Sequence, residues 1–191
     1  ILSVGATLLI TISTWSYFSI AYQKKNLQNE VVSQTERLSN TIKLGTHYAM
    51  MLNSRDEINQ IINNIARLKE VQSIRIYNKD GAIKFSNHAR EVDQITNIRS
   101  EACHICHHTD PPQVEVGLAE RMRQLSADKG ERLLGIISPI HNEPGCSTHE
   151  CHFHPADKKV LGALDVVVTL EVAWIALILG GSSAGSEDFA Q

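Results

Sequence analysis

The first 22 residues of this 191-residue chain, Ile1 to Tyr22, contain no charged side chain. A helix of that length rises about 1.5 Å per residue and can cross roughly 30 Å of hydrocarbon. Trp15, Tyr17 and Phe18 cluster toward its far end, where aromatic rings favour a membrane interface. The segment therefore predicts a transmembrane helix over residues 1–22.

A cleaved signal peptide is the alternative interpretation of this segment. Ser19-Ile20-Ala21 has the small-x-small form of a cleavage site. The apolar region of such a peptide is typically about 7–15 residues, which is shorter than this one and favours a retained anchor. Lys24 and Lys25 follow directly and would normally stay on the cytoplasmic side, so an external domain implies more positive charge upstream.

The four cysteines of the chain form two pairs, and a histidine directly follows the second cysteine of each pair. The first run is Cys103-His104-Ile105-Cys106-His107, and the second spans residues 146–152 with wider cysteine spacing. C-x-x-C-H is the attachment signature of c-type haem, whose thiols bond the porphyrin while the histidine ligates iron. We therefore predict two covalent haems. The attachment residues are Cys103, Cys106, Cys146 and Cys151, and the proximal ligands are His107 and His152.

Zinc binding and disulfide formation are the other uses of four such cysteines. C-x2-C and C-x4-C pairs are ordinary zinc spacings, and a periplasmic domain can carry two disulfides. Neither use explains why a histidine follows both pairs, so haem is the favoured interpretation. Zinc binding is kept as the alternative. Haem attachment to thiols takes place in an oxidising space such as the bacterial periplasm. We therefore expect an inner-membrane anchor and a periplasmic domain.

The sixth ligand of each iron decides between electron transfer and ligand sensing. His47 and Met51 are four residues apart on one helical face, so either could face the same iron. Methionine near a helix end also serves as core filler, and a lone histidine is often a surface residue. The candidate sixth ligands are His47, Met51, His154, His141, His88 and Met50.

Helical periodicity continues after the anchor, and residues 23–69 are predicted to form membrane-proximal helices. The segment 23–53 lacks proline and carries a seam, which is a stripe of apolar or small residues along one helical face. The stripe is interrupted at Gly45 or Thr46, where an apolar residue would be expected. Ser54 to Glu57 reads as a capping box that begins a second amphipathic helix. The seam residues are Val31, Thr35, Leu38, Ile42, Ala49 and Leu52.

From residue 70 the period changes to two, which predicts a sheet domain over residues 70–171. A hairpin turns at residues 78–81, a turn falls at residues 127–130, and residues 133–140 and 160–170 read as strands. The segment with Leu118, Met122 and Leu125 has helical spacing and predicts a short helix. Both cysteine motifs then fall in loops. Residues 172–191 read as an apolar stub and a flexible tail.

Three segments resemble the periplasmic haem c input domains of bacterial transmembrane histidine kinases. They are residues 74–81, with the sequence IRIYNKDG, residues 142–155, with the sequence NEPGCSTHECHFHP, and residues 160–166, with the sequence VLGALDV. The resemblance covers roughly residues 68–171. It implies an α+β, PAS- or Cache-like domain with an antiparallel sheet, helices on one side and two haem-bearing loops. It also implies a homodimer through the membrane-proximal helices and sensing of redox state or a small ligand.

The first hypothesis is therefore a membrane-anchored periplasmic di-haem domain that serves as the input of a signal-transduction protein. The second is a small membrane-tethered electron-transfer cytochrome with a redox partner, and the third is a zinc-binding extracellular interaction domain. A net charge of -3 leaves no basic footprint for nucleic acid. The residues contain no phosphate loop, nucleophile elbow or kinase phosphoacceptor region, although a kinase module could lie beyond them.

Overall fold

The structure, a computed structural model, describes residues 2–97, 99–127, 130–148, 154–155 and 157–170. The described residues fall into two compact units, residues 2–33 and residues 34–170. The cavity and both cysteine motifs belong to the second unit, as far as their residues are described. The predicted stub and tail at 172–191 lie outside the described residues.

One continuous helix, α1, runs from Leu2 to Met51. The predicted transmembrane helix and the first predicted membrane-proximal helix are therefore parts of a single helix, while the second is a separate helix. Its apolar portion begins at Val4, is long and apolar enough to cross a membrane, and buries none of its surface within the structure. Threonine hydroxyls in that portion are satisfied locally: Thr7 and Thr11 donate to carbonyls three residues earlier, at 2.9 Å. Such internal pairing is what a hydrocarbon environment requires of polar groups.

The second unit is built on a five-stranded antiparallel sheet with the order β2-β1-β5-β4-β3. Strand β5 lies at the centre and buries an unbroken run from Leu164 to Val168. The predicted hairpin and the two long predicted strands are confirmed. The strands are β1 (Val71–Asn78), β2 (Ile83–Ser86), β3 (Met122–Ser126), β4 (Arg132–His141) and β5 (Val160–Thr169).

Four further helices connect or flank these strands. Helix α2 buries Ile58 and Ile62 against the rest of the second unit. The helices are α2 (Arg55–Ile65), α3 (Glu101–His107), α4 (Leu118–Arg121) and α5 (Pro144–Thr148), with a 3-10 turn over Ala89–Glu91.

Small and hydroxyl-bearing residues make up most of the contact between α1 and the sheet. The Ser39 hydroxyl donates to the Ser138 hydroxyl of β4 at 2.9 Å inside the core, and Ile42 is completely buried nearby. Thr46, rather than Gly45, faces inward, and its hydroxyl donates to the Ile42 carbonyl at 2.7 Å. Three residues of the predicted seam, Thr35, Ile42 and Ala49, are therefore buried, whereas Val31 and Leu38 are half-buried and Leu52 is exposed. The buried α1 residues are Thr35, Ser39, Ile42, Thr46 and Ala49.

Three local predictions are wrong. Residues 122–126 form a strand and not a helix, because pairing with β4 satisfies their backbone and overrides a helical spacing of only three apolar residues. Ser54 precedes α2 but makes no side-chain capping bond, so the capping box does not form. The first cysteine motif lies on α3 and the second begins on α5, where loops were expected.

Gly162 of β5 allows the closest backbone approach in the sheet. A methyl group built there would overlap the carbonyl oxygen of Tyr77 on β1. Gly162→Ala should therefore cost about 1–3 kcal/mol of unfolding free energy, since backbone atoms cannot move aside as a flexible side chain would. Chemical denaturation of the detergent-solubilised chain measures this change in unfolding free energy.

Gly45→Ala is the matched control, because a methyl group on this helical glycine meets nothing within 4 Å. It should stabilise the chain by about 0.5–1 kcal/mol through the lost backbone freedom of glycine. Equal effects of the two substitutions would contradict the close approach at Gly162.

Candidate functional site

An apolar cavity of about 190 Å³ lies where the end of α1, the β1–β2 hairpin and α5 meet. The last turns of α1 form one wall, and the ends of β1, β4 and β5 form the opposite wall. Cys146 of α5 also lies on the wall. The lining residues are His47, Met50, Met51, Asn53, Ile58, Ile76, Tyr77, Asn78, Lys84, Phe85, Ile140, Cys146, His154, Leu161 and Gly162.

Four of the six predicted sixth-ligand candidates line this cavity together with Cys146. They are His47, Met50, Met51 and His154. His88 and His141 are not among the lining residues; the His88 ring instead contacts the Gln72 carbonyl oxygen at 3.1 Å. Residues 149–153, which include Cys151 and His152 of the second motif, lie outside the described residues. The fold thus gathers one predicted attachment thiol and four predicted donors around one apolar space.

The side chain of Met51 at the end of α1 packs beside Gly145, the residue before the second motif. A methyl group built on Gly145 would lie 3.4 Å from the Met51 Cε atom and 3.5 Å from its Sδ atom. Gly145 directly precedes Cys146, so the absence of a side chain there lets the thioether pack against the backbone of α5. The sulfur of Met51 is therefore placed beside the predicted haem-bearing segment.

A second contact joins α1 to the same segment. The Nε2 atom of His47 lies 3.8 Å from the Oε2 atom of Glu143, which would be an ion pair when the imidazole is protonated. The two side chains are 37% and 65% exposed, so the contact stabilises the fold little. The contact places the His47 ring beside the N-terminal end of α5, because Glu143 directly precedes that helix.

The first motif is presented by α3, which Ala102 anchors by burying its side chain. Cys103 and Cys106 are half-buried and lie one helical turn apart, while His107 is exposed. The Gln113 amide donates to the Cys106 carbonyl at 2.9 Å and ties the helix end to the following loop. Two thiols and a free imidazole therefore project from one short helix.

Burial raises the pKa of the Cys106 thiol above its ordinary value, and the nearby Cys103 thiol adds to the rise while Arg121 opposes it. The thiol is therefore protonated at neutral pH. Arg121 is itself held firmly: its guanidinium donates to the Ser138 hydroxyl at 2.9 Å and to the Glu36 carboxylate of α1 at 3.1 Å. The surroundings of the first motif are thus bonded both to the sheet and to α1.

A buried charge cluster on the sheet has no counterpart in the sequence predictions. Asp165 of β5 is completely buried, and its two carboxylate oxygens accept from Arg123 Nη2 at 2.7 and 2.6 Å. Arg75 lies 3.9 Å away and pairs through two hydrogen bonds with Glu91. An aspartate inside the apolar run of β5 was the one sequence signal that could have indicated it.

The contacts around this cluster shift the pKa values of Arg75, Glu91 and Tyr77. The hydrogen bond and charge of Glu91 raise the pKa of Arg75, and the same pairing lowers the pKa of Glu91. Burial raises the pKa of Tyr77 to about 12, and Asp165 contributes to the rise. Arg75 and Glu91 are therefore charged at neutral pH, and Tyr77 is neutral beside them.

The part of the chain that the structure describes contains no assembled zinc site of the kind that the zinc alternative predicts. Among those residues, no group of three or more His, Cys, Asp or Glu side chains is close enough to hold a metal ion. The comparison does not extend to Cys151 and His152, which fall outside that part.

No protein-family profile matches the chain, and no curated protein does either. Two solved structures are similar to it, each at 15% identity and over 85% of this chain. One is the extracellular domain of a protein assigned as a histidine kinase, vpHK1S-Z8, with a TM-score of 0.53 and 58% of that chain covered. The other is a domain of a sensory box/GGDEF family protein from Vibrio parahaemolyticus, with a TM-score of 0.49 and 61% covered.

The chain spans about three fifths of the length of these solved domains. At this identity the similarity establishes the fold alone, which confirms the predicted α+β class of PAS- and Cache-like sensor domains. Helix α1 is, by length and composition, able to cross a membrane.

Proposed function

We propose that this chain is a membrane-anchored periplasmic sensor domain that carries two c-type haems and serves as the input of a signalling protein. One observation supports it above the others: a single apolar cavity brings Cys146 together with His47, Met50, Met51 and His154. A cavity with apolar walls, a thiol and soft or imidazole donors is the environment that a porphyrin and its iron require.

The residues at both motifs suit this cofactor. Cys103 and Cys106 are partly accessible free thiols, and the His107 imidazole is exposed on the same helix. Cys146 faces the cavity, and the apolar side chains of Ile58, Ile76 and Phe85 line it. When bound, haem supplies one-electron redox chemistry and, at an open sixth position, binding of small gases.

The residues of α1 connect such a site to the rest of the chain. Met51 and His47 lie in the final turns of the helix and contact the segment around Cys146. On the other side, Glu36 of the same helix accepts from Arg121, whose charge acts on the Cys106 thiol. A change at either haem would therefore act on side chains that are bonded to α1. This connection favours sensing over simple electron transfer.

Counting covalent haems tests the proposal. The detergent-solubilised chain, made in cells that attach c-type haem, should carry two haems per polypeptide by pyridine haemochrome absorbance. Cys103→Ala/Cys106→Ala should lose one of them, and Cys146→Ala/Cys151→Ala should lose the other. A chain with no c-type absorbance and with bound zinc would reject the proposal in favour of the zinc alternative.

A further inference from the structure

Two histidines at the first motif that have no part in haem attachment lie side by side, one within α3 and one at its C-terminal end. His104 lies within α3, and His108 is the residue that caps its C-terminal end, still in helical conformation and one turn further on. Both side chains are exposed, and their ring centroids are 5.9 Å apart with an interplanar angle of 55°. Histidines four residues apart on one helix are the arrangement by which H-E-x-x-H motifs bind zinc. The pair therefore has the spacing of a metal-binding pair.

The backbone fixes which nitrogen of His108 is available. Its Nδ1 atom lies 2.9 Å from the Ile105 carbonyl oxygen and 3.2 Å from the His104 carbonyl oxygen. A carbonyl oxygen only accepts, so Nδ1 carries the proton and donates. In the neutral ring Nε2 then keeps its lone pair, as in metal-ligating histidines whose other nitrogen donates to a carbonyl.

The ring separation agrees with one shared ion. With metal–nitrogen bonds of about 2.0–2.1 Å and tetrahedral angles, two imidazoles on one zinc ion have ring centres about 5 Å apart. The observed 5.9 Å differs by less than an ångström, which small side-chain rotations of exposed residues can close.

The pair points away from the predicted haem-bearing side of α3. At about 100° per residue, Cys103, Cys106 and His107 occupy one arc of the helix, and His104 and His108 are centred about 130° around from it. Haem attachment therefore leaves both imidazoles accessible.

We propose that His104 and His108 form a surface site for a divalent transition-metal ion of the class that imidazole binds, such as Zn²⁺ or Ni²⁺. The described residues include no group of three or more potential ligands, so water completes the coordination shell. A site with two protein ligands binds reversibly and serves regulation better than structural stabilisation. Where the first haem is present, which rests on the proposed function, the added positive charge raises its reduction potential.

Zinc affinity tests the site directly. The detergent-solubilised chain is titrated with Zn²⁺ against a chromophoric chelator, and His104→Ala and His108→Ala are compared with it. Each variant should bind at least about tenfold more weakly, since the second imidazole acts at the high effective concentration that the helix sets. His88→Ala, which removes another exposed histidine, is the matched control and should leave the affinity unchanged. Unchanged affinity in both His104→Ala and His108→Ala would overturn the proposal.

Two further arms separate this site from the haem proposal. In the haem-loaded chain, Zn²⁺ should raise the reduction potential of the first haem, and His108→Ala should abolish the shift. Cys103→Ala/Cys106→Ala, which cannot attach that haem, should still bind Zn²⁺. Loss of zinc binding in the cysteine variant but not in His108→Ala would assign the ion to the thiols and reject the histidine pair.

Discussion

Asp165→Asn should destabilise the domain by about 3–5 kcal/mol, because removal of one partner from a buried ion pair leaves the other charge uncompensated. The Asp165 carboxylate is completely buried and accepts two hydrogen bonds from Arg123, whose side chain is only 12% exposed. Arg75 also faces it, at 3.9 Å. An amide neutralises neither guanidinium. Urea denaturation of the detergent-solubilised chain, followed by circular dichroism, measures the loss.

Two companion variants identify the cause of that loss. Asp93→Asn removes a carboxylate of the same type from an exposed pair with Lys84, and it should leave the denaturation midpoint unchanged. Arg123→Met added to Asp165→Asn removes the cation left behind and should recover part of the lost stability. Wild-type stability in Asp165→Asn, or no recovery in the double variant, would contradict the assignment of Asp165 as the anchor of a buried charge cluster.

Local sequence patterns predicted much of the sheet because each pattern reports on its own strand. Alternation around residues 78–81 gave the β1–β2 hairpin, and β-branched residues gave β5. Strand β3 was missed because its conformation depends on pairing with β4, which sequence spacing does not reveal. The continuity of α1 could have been predicted from the sequence, since no proline interrupts residues 2–51.

The candidate site also has some features that local sequence spacing predicts and others that depend on distant parts of the chain. Helical spacing alone put His47 and Met51 on one face, and the structure places both on the cavity wall. The approach of Met51 to Gly145 depends on where the chain returns nearly a hundred residues later, so no local pattern contains it. The charge cluster is similar: Asp165 pairs opposite Arg75, and Arg123 reaches it across Gly135 from two strands away. Sequence identifies chemical groups, while strand register decides which of them meet.

If the second haem is bound as proposed, Met51, which packs beside Gly145, is the expected sixth ligand, and Met51→Leu should open that iron to carbon monoxide. Leucine is close to methionine in volume, so packing against Gly145 should cost less than about 1.5 kcal/mol. The thioether is the group that is lost. The substitution is made in a Cys103→Ala/Cys106→Ala background, so that only the second haem contributes. Absorbance of the reduced protein, with and without carbon monoxide, is the measurement.

Met50→Leu is the matched control. Met50 lines the same cavity, but none of its atoms lies within 4 Å of a methyl group built on Gly145. The parent and Met50→Leu should bind carbon monoxide weakly, and Met51→Leu should bind it readily. Carbon monoxide binding already present in the parent would show that no side chain holds the sixth position and would contradict ligation by Met51. A site closed in all three proteins would instead direct attention to His47 or His154. A methionine that yields to a gas would join ligand binding to the last turn of α1, as a sensor requires, whereas a permanently closed iron suits electron transfer.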